Sequence, residues 1–559
     1  MSRSQVHGTA LWPLGSDTIG ENLASTAAAH PDNEVLVSRH QGIRFTYGQF
    51  AEEVERVALA LLDLGVDKGD RVGIWSPTCA EWTCLQYASA RVGAILVNIN
   101  PAYRANELAY ALKLAGVSTL VAATGFRDAD YLAMLASVRR ELPRLQRVIV
   151  LGDDVGGGRA DLRWSDLTER QAPRDRLVER EAVLDADDPI NIQFTSGTTG
   201  NPKGATLTHH NILNNARSMA DVLGYTAADR VCVPVPLYHC FGMVAGNLAS
   251  TVSGATAVYP SDAFEPLSCL QAIAEERCTS LYGVPTMFIA QLDHPRFAEF
   301  DLTSLRTGII GGAPCPVEVM KRVVSDMHLP EIANAYGMTE TSPASFTTRH
   351  DDTLDRRVYT VGTALPHVEG RIVDPATGRT ASSGEVGEVC VRGYLVMRGY
   401  WEDPAATAAA IEEGRWMHTG DLGVMDGSGY LSIVGRIKEM VIRGGENIYP
   451  REIEEVLYQH PAVAGAQVFG IPDERMGEEL MAWVALRDGA TADPEELRAF
   501  CRERLARFKV PRQVKLVDSF PMTVTGKMQK FRMREVAIEE LGLQHLAAST
   551  ISAAAPPQG

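Results

Sequence analysis

The sequence predicts an α/β protein: a large N-terminal domain of two mostly parallel sheets flanked by helices, carrying a small barrel-like antiparallel piece, followed by a smaller α+β domain. Three observations predict it. The first half alternates short apolar strands with amphipathic helices, the pattern of parallel sheets covered on both faces. After about residue 368 short strands and Gly turns take over (GRIV, GEVGEVCVRG, GYLSIVGR). The chain's 559 residues exceed what one ordinary core accommodates.

The elements follow in order. Thr46 is a predicted N-cap; Phe50, Val54, Val57, Ala58, Leu61 and Leu62 then share one helical face, and Gly65 closes the helix. RVGIW at 71–75 reads as a strand, and SARVGAILV at 89–97 as a helix running into a strand. An apolar strand at 190–194 leads into a Gly/Thr-rich loop. Further strands are predicted at 279–282 and 308–310, the second just before Gly311-Gly312. From residue 437 a separate unit carries strands at 466–470 and 481–486 and helices at 452–459 and 495–504. The expected domains are therefore 1–436 and 437–546. Residues 547–559 are small and Pro-bearing, which predicts a disordered tail.

Composition narrows the function. At 45% hydrophobic and 22% charged, the chain reads as a soluble globular protein with a large core. A formal charge of -17 repels nucleic acids and anionic lipids, so no nucleic-acid partner is expected. Anionic substrates then need isolated Lys or Arg in Gly-rich settings. The nine Cys are scattered without C-x-x-C spacing, which predicts buried reduced thiols and a cytoplasmic protein. No apolar N-terminal region suggests a signal peptide, no run approaches the ~18 residues of a membrane span, and the end carries no SKL signal.

The chemistry is concentrated in short motifs. In TSGTTGNPKG at 195–204, Gly197, Gly200 and Gly204 let backbone N–H groups converge on phosphate oxygens. Thr195, Ser196, Thr198 and Thr199 add hydroxyls, and Lys203 adds a charge. The run lacks the Walker pattern, and alone it equally suits a flexible surface loop. Its company decides the matter. YGMTE at 336–340 offers Tyr336, Thr339 and Glu340; TGD at 419–421 sets Asp421 on a turn, suited to two ribose hydroxyls. GRIKE (435–439), RGGENIYP (443–450) and TGKMQK (525–530) follow. His209-His210 lacks metal-ligand spacing and reads as helix capping.

In this order the motifs resemble the adenylate-forming superfamily of acyl-CoA synthetases, luciferases and peptide-synthetase adenylation domains. The likeness runs from about residue 20 to 540. PLYHCFGMVAGN (236–247), YGVPTMF (282–288), VIRGGENIYP (441–450) and RMGEE (475–479) bring it nearest to medium-chain fatty-acid:CoA ligases. The resemblance implies ATP, Mg²⁺ and coenzyme A as co-substrates and a small carboxylic acid as partner. It implies that 195–203 holds the β- and γ-phosphates, and that Gly312, Ala313, Pro314, Asn334 and Tyr336 line the adenine slot. Thr339 would touch the α-phosphate, Glu340 would hold Mg²⁺, and Asp421 and Arg436 would bind ribose. Lys527 would sit between the substrate carboxylate and the α-phosphate. Lys438 would be the hinge of a mobile C-terminal domain, and Arg443, Gly444 and Gly445 would meet coenzyme A. The acyl pocket is expected from Tyr238, His239, Phe241, Met243, Val284, Thr286, Gly311, Gly337 and Met338, with glycines leaving room for the chain.

Alternatives stay open at this stage: an acyl-AMP ligase loading an acyl carrier protein, an aryl-acid:CoA ligase, and a luciferase-like oxygenase. An amino-acid adenylation domain would need an Asp where Tyr238-His239-Cys240 stands. A noncatalytic binding protein would not need Asp421, Arg436 and Lys527 together. The identity of the acid, and whether the chain forms a homodimer, are not legible.

Overall fold

Local signals set the helix after Thr46 as expected. In the computed structural model, Tyr47–Asp63 is α-helical from Thr46, whose hydroxyl accepts from the Gln49 amide while the Gln49 side chain accepts from the Thr46 amide. This reciprocal cap satisfies two otherwise orphaned donors. All six expected face residues are buried, and Gly65 follows the helix at φ +77°. The structure describes residues 3–10, 12–152, 160–170, 172–195, 202–523 and 527–546. The expected tail at 547–559 lies outside them.

Two large sheets follow. An eight-stranded sheet runs edge to edge through Leu162–Arg163, Arg147–Leu151, Thr119–Ala123, Arg71–Trp75, Ile95–Asn98, Pro189–Thr195, Lys203–Thr208 and Gly399–Tyr400. Its first six strands are parallel and its last two antiparallel. A nine-stranded sheet has a parallel centre from Glu331–Gly337 through Thr307–Gly311, Ser280–Gly283, Arg230–Cys232 and Thr256–Tyr259 to Glu34–Ser38. The helices Tyr47–Asp63, Ala80–Val92 and His209–Val222 share one core cluster with Val72, Ile74 and Leu207 of the first sheet and Val231 and Ile309 of the second. Apolar side chains on both faces of each sheet explain why their strands read as continuous hydrophobic runs.

A third sheet, antiparallel and five-stranded, holds Val368–Val373, Val386–Gly393, Met417–Met425 and Leu431–Arg436. Its fifth strand is Gln5–His7, a pairing that no local signal in the sequence predicts. Beyond it, Val441–Arg443, Glu446–Ile448, Val463–Asp473, Gly477–Leu486 and Gln513–Leu516 build a further sheet. That sheet has its own core of Val441, Ile453, Leu457, Val468, Leu480 and Leu497 under helices Pro450–Tyr458 and Pro494–Arg502. All nine Cys are buried and unpaired. Among the described residues no helix is long and apolar enough to cross a membrane.

Candidate active site

Asp421 and Arg436 are direct cross-strand partners in the antiparallel sheet. Arg436 Nε donates to Asp421 Oδ1 at 2.9 Å, and the Tyr336 hydroxyl donates to Oδ2 at 2.8 Å. Burial pushes the Asp421 carboxyl above its ordinary value, while Arg436 and Tyr336 pull it back. The carboxylate is thus fixed in place by groups on two different sheets. Around it opens a cavity of about 250 Å³. Gly312, Ala313, Pro314, Asn334, Tyr336, Asp421 and Arg436 all line this cavity. Asn334 is anchored there, its amide donating to the Thr360 carbonyl at 3.0 Å.

A second, mostly apolar cavity of about 90 Å³ adjoins it. His239, Phe241, Val284, Gly311, Gly337, Met338 and Thr339 line it, together with Met219, Ala245, Met287 and Ala344, which sequence reasoning did not single out. Its wall includes Phe241–Leu248, a π-helical segment. Such wide turns are uncommon and concentrate at functional sites. Phe241 stacks on Tyr282 with centroids 5.7 Å apart. Burial, then the Lys527 charge, lower the His239 imidazole to about 3, so it is neutral at physiological pH.

Lys527 belongs to both cavities. Its backbone amide donates to the Thr523 hydroxyl at 3.1 Å, and the Thr523 amide donates back to the Lys527 carbonyl at 2.8 Å. The side chain passes over Gly312: a Cβ there would lie 3.5 Å from Lys527 Cε. Lys527 as a whole residue is exposed, and its side chain reaches the two cavities that it lines. Burial and the neighbouring Arg436 lower its pKa.

Glu340 is buried and is held by the Tyr400 hydroxyl, which donates to Oε1 at 2.8 Å. Tyr400 lies under Lys203, whose Nζ sits 5.0 Å from the ring centroid. Lys203 in turn pairs across the sheet with Thr195. Ser196, Gly197, Thr198, Thr199 and Gly200 lie outside the described residues. Tyr400 was missed in the sequence because its partners are distant in the chain; RGYW carries no motif of its own.

Four expectations change. Tyr238 turns away from the acyl cavity and lines a neighbouring one with Thr286, Arg127 and Met522. Thr286 lies in that cavity and in the polar one, not in the apolar one. Met243 is a core residue, its sulfur accepting from the Asn98 and Gln193 amides at 3.3 Å each. Gln193 also accepts from the Cys240 amide at 2.8 Å, so a buried amide pair fixes the wall that carries His239. Gly311 and Gly337 do not serve mainly to leave room for a ligand. A Cβ at Gly311 would lie 2.8 Å from the Ala335 carbonyl oxygen, and one at Gly337 1.9 Å from that of Pro343. Close backbone packing demands glycine at both.

Arg443 is engaged within its own sheet, gripping the buried Glu479 through two hydrogen bonds of 2.7 and 2.8 Å. Gly444 and Gly445 form the hairpin turn beside it at φ +60° and +88°. None of the three lines any of these cavities. Lys438 is exposed on the short helical turn Ile437–Glu439. His209 accepts from the Ile19 amide at 3.2 Å, inside a helix whose cap is Thr208.

The fold and this pair of cavities meeting at a lysine define a class, and comparison with known proteins gives the same one. The AMP-binding enzyme family model matches residues 23–401, and the AMP-binding enzyme C-terminal domain model matches 452–527. The chain belongs to the AMP-binding enzyme family. It is 46% identical over 539 residues to the putative acyl-CoA synthetase YngI of Bacillus subtilis (strain 168), covering 94% of this chain and 98% of that one. It is 42% identical over 560 residues to the mitochondrial medium-chain acyl-CoA ligase ACSF2 of Danio rerio, covering 97% and 92%. Among solved structures, the anthranilate CoA ligase AuaEII in complex with anthranoyl-AMP superposes with a TM-score of 0.83 at 26% identity, covering 94% and 98%.

Proposed function

We propose that this protein is an AMP-forming acyl-CoA ligase acting on a medium-chain aliphatic acid. The observation that carries the reading is Lys527, which lines both the apolar cavity and the polar cavity around Asp421. In this reading the apolar cavity takes the acyl chain and the polar one takes ATP. The acid's carboxylate oxygen attacks the α-phosphorus, the bond to the β-phosphate oxygen breaks, and pyrophosphate leaves. Two anions must meet for this, and a fixed ammonium between them offsets their repulsion and the charge of the in-line transition state. Asp421 accepts from the ribose hydroxyls. Neutral His239 adds no second charge beside the carboxylate.

A hard divalent cation suits the Glu340 carboxylate, which Tyr400 orients. Glu340 would hold Mg²⁺, which would supply charge neutralisation for the departing pyrophosphate, and Thr339 would meet the α-phosphate.

In the second half-reaction the coenzyme A thiolate attacks the acyl carbonyl of the adenylate, the mixed-anhydride bond breaks, and AMP leaves. Arg443, Gly444 and Gly445 stand away from the cavities in this conformation, so their role in thioester formation requires the 437–546 domain to turn about Lys438. Medium chain length rests on the named relatives and on the apolar lining. A cytoplasmic location, a Mg²⁺ requirement and a homodimeric state belong to the same proposal; fractionation, chelation and light scattering test them.

The deciding experiment gives the purified protein MgATP, coenzyme A and a panel of acids, read by mass spectrometry. Acyl-CoA from C6–C12 acids supports the reading. Adenylate accumulating without thioester would instead favour delivery to a carrier protein, and turnover confined to benzoates would make it an aryl-acid ligase.

A further inference from the structure

Glu388, Cys390 and His418 meet on adjacent strands of the antiparallel sheet, outside both cavities. Among the described residues they form the one group of three such side chains whose ligand atoms all lie within 4.8 Å of one another. Cys390 and His418 face each other directly across the strands Val386–Gly393 and Met417–Met425. Cys390 Sγ is 3.5 Å and Glu388 Oε2 is 2.9 Å from His418 Nδ1. We propose that these three side chains bind a thiophilic divalent cation of the Zn²⁺ class, with the fourth position open to water.

The donor set is that of a borderline-soft ion: one thiolate, one imidazole and one carboxylate suit tetrahedral Zn²⁺ and fit Mg²⁺ poorly. Two outer contacts match what metal ligands need. His418 Nε2 faces Glu412 Oε2 at 3.4 Å, which fixes the ring and directs Nδ1 at the site. Glu388 Oε1 accepts from the Gly420 amide at 3.0 Å, which fixes the carboxylate and leaves Oε2 for the ion. Ligating imidazoles and carboxylates are regularly held in this way by a second layer of hydrogen bonds. The charges also balance. Arg371, the cross-strand neighbour of Cys390, is ion-paired with Glu412 and lies 4.2 Å from the Trp416 ring centroid. Arg371 and the dication together then offset Glu388, Glu412 and the thiolate. His418 is partly exposed, with 30% of its side chain accessible, so an ion has a route in from solvent. Binding replaces the thiol proton, and any proton on the imidazole, with the metal, and those protons go to solvent. His418 lies three positions before Asp421 on the same strand, so the ion would stiffen the strand that carries the ribose carboxylate.

Co²⁺ is the probe, titrated anaerobically into the full-length chain with excess Mg²⁺ present. The expected result is a near-ultraviolet thiolate-to-cobalt band saturating at one ion per chain and displaced by Zn²⁺. Cys390→Ser should remove that band, and Glu412→Gln should weaken binding about 10- to 100-fold. X-ray absorption of the Zn²⁺-loaded wild type needs no variant and should find one sulfur in the first coordination shell. No thiolate band, a band unchanged in Cys390→Ser, or a zinc shell of nitrogen and oxygen alone would overturn the site.

Discussion

The Tyr400 hydroxyl donates to Glu340 Oε1 at 2.8 Å while its ring supports Lys203 from below, the ammonium lying 5.0 Å from the centroid. One side chain therefore orients both the expected metal ligand and the expected phosphate cation. A hydrogen bond to a charged group contributes about 1.5–3 kcal/mol. Tyr400→Phe should then lower kcat/KM for MgATP about 10- to 100-fold and raise the Mg²⁺ concentration needed for half-maximal rate. Tyr400→Leu, which also removes the ring beneath Lys203, should cost a further few-fold. Steady-state kinetics with varied Mg²⁺ checks both; unchanged Mg²⁺ dependence in Tyr400→Phe would contradict the arrangement.

Asp421 sets stability against binding. Burial holds its carboxyl above the ordinary Asp value, so the unfolded state ionises first. Stability from the protonated form is therefore present below about pH 3.9 and is lost as pH rises through the folded value. Asp421→Asn should melt at or above the wild-type temperature at pH 7–8. That gain should shrink as the pH falls toward 4, because Asp421 itself becomes neutral. AMP affinity should nonetheless drop. Calorimetry across pH, beside AMP binding, checks the opposed signs.

Lys527 carries the alkaline limb. Burial and Arg436 lower its pKa, so the free enzyme loses this charge at a lower pH than an ordinary lysine, about 10.4, would. The pH profile of kcat/KM for ATP in the adenylation step reports that free-enzyme group. It should fall with a midpoint below 10.4. Lys527→Arg, which stays charged, should keep a flat alkaline limb at whatever lower rate its longer reach permits.

Met219 closes one wall of the apolar cavity from helix His209–Val222. Met219→Ala should shift the preferred acid to longer chains. Each newly buried methylene contributes about 0.8 kcal/mol, or about fourfold in kcat/KM. Competition between acids of increasing length measures the shift.

Much of this was legible in the sequence, and the exceptions share a cause. The cap at Thr46, the strand Arg71–Trp75 and the order of the motifs are local signals, and the structure carries the cap and the strand. Asp421 and Arg436 were recognisable from their motifs, although their pairing depends on an antiparallel register that only the fold supplies. The ion pair of Arg443 was not legible because its motif is local but its partner, Glu479, is 36 positions away and buried. Tyr400 and Gln193 were invisible for the same reason, with partners 60 and 47 positions off. The strand Gln5–His7 pairs with Val368–Val373, more than 360 positions away. Glycines were readable as special, but the sequence does not show that a side chain at Gly337 would meet the Pro343 carbonyl.

The central claim is that Lys527 joins the acid to ATP and then gives way to a second arrangement for thioester formation. Separate single-turnover measurements on Lys527→Ala test it most directly: acyl-AMP formation from acid and MgATP, and acyl-CoA formation from supplied acyl-AMP and coenzyme A. Removing one preorganised charge of this kind typically costs about 10²- to 10³-fold. The account predicts that loss in the first step, with the second retained within a few-fold. Equal losses in both steps, or an unimpaired first step, would contradict it.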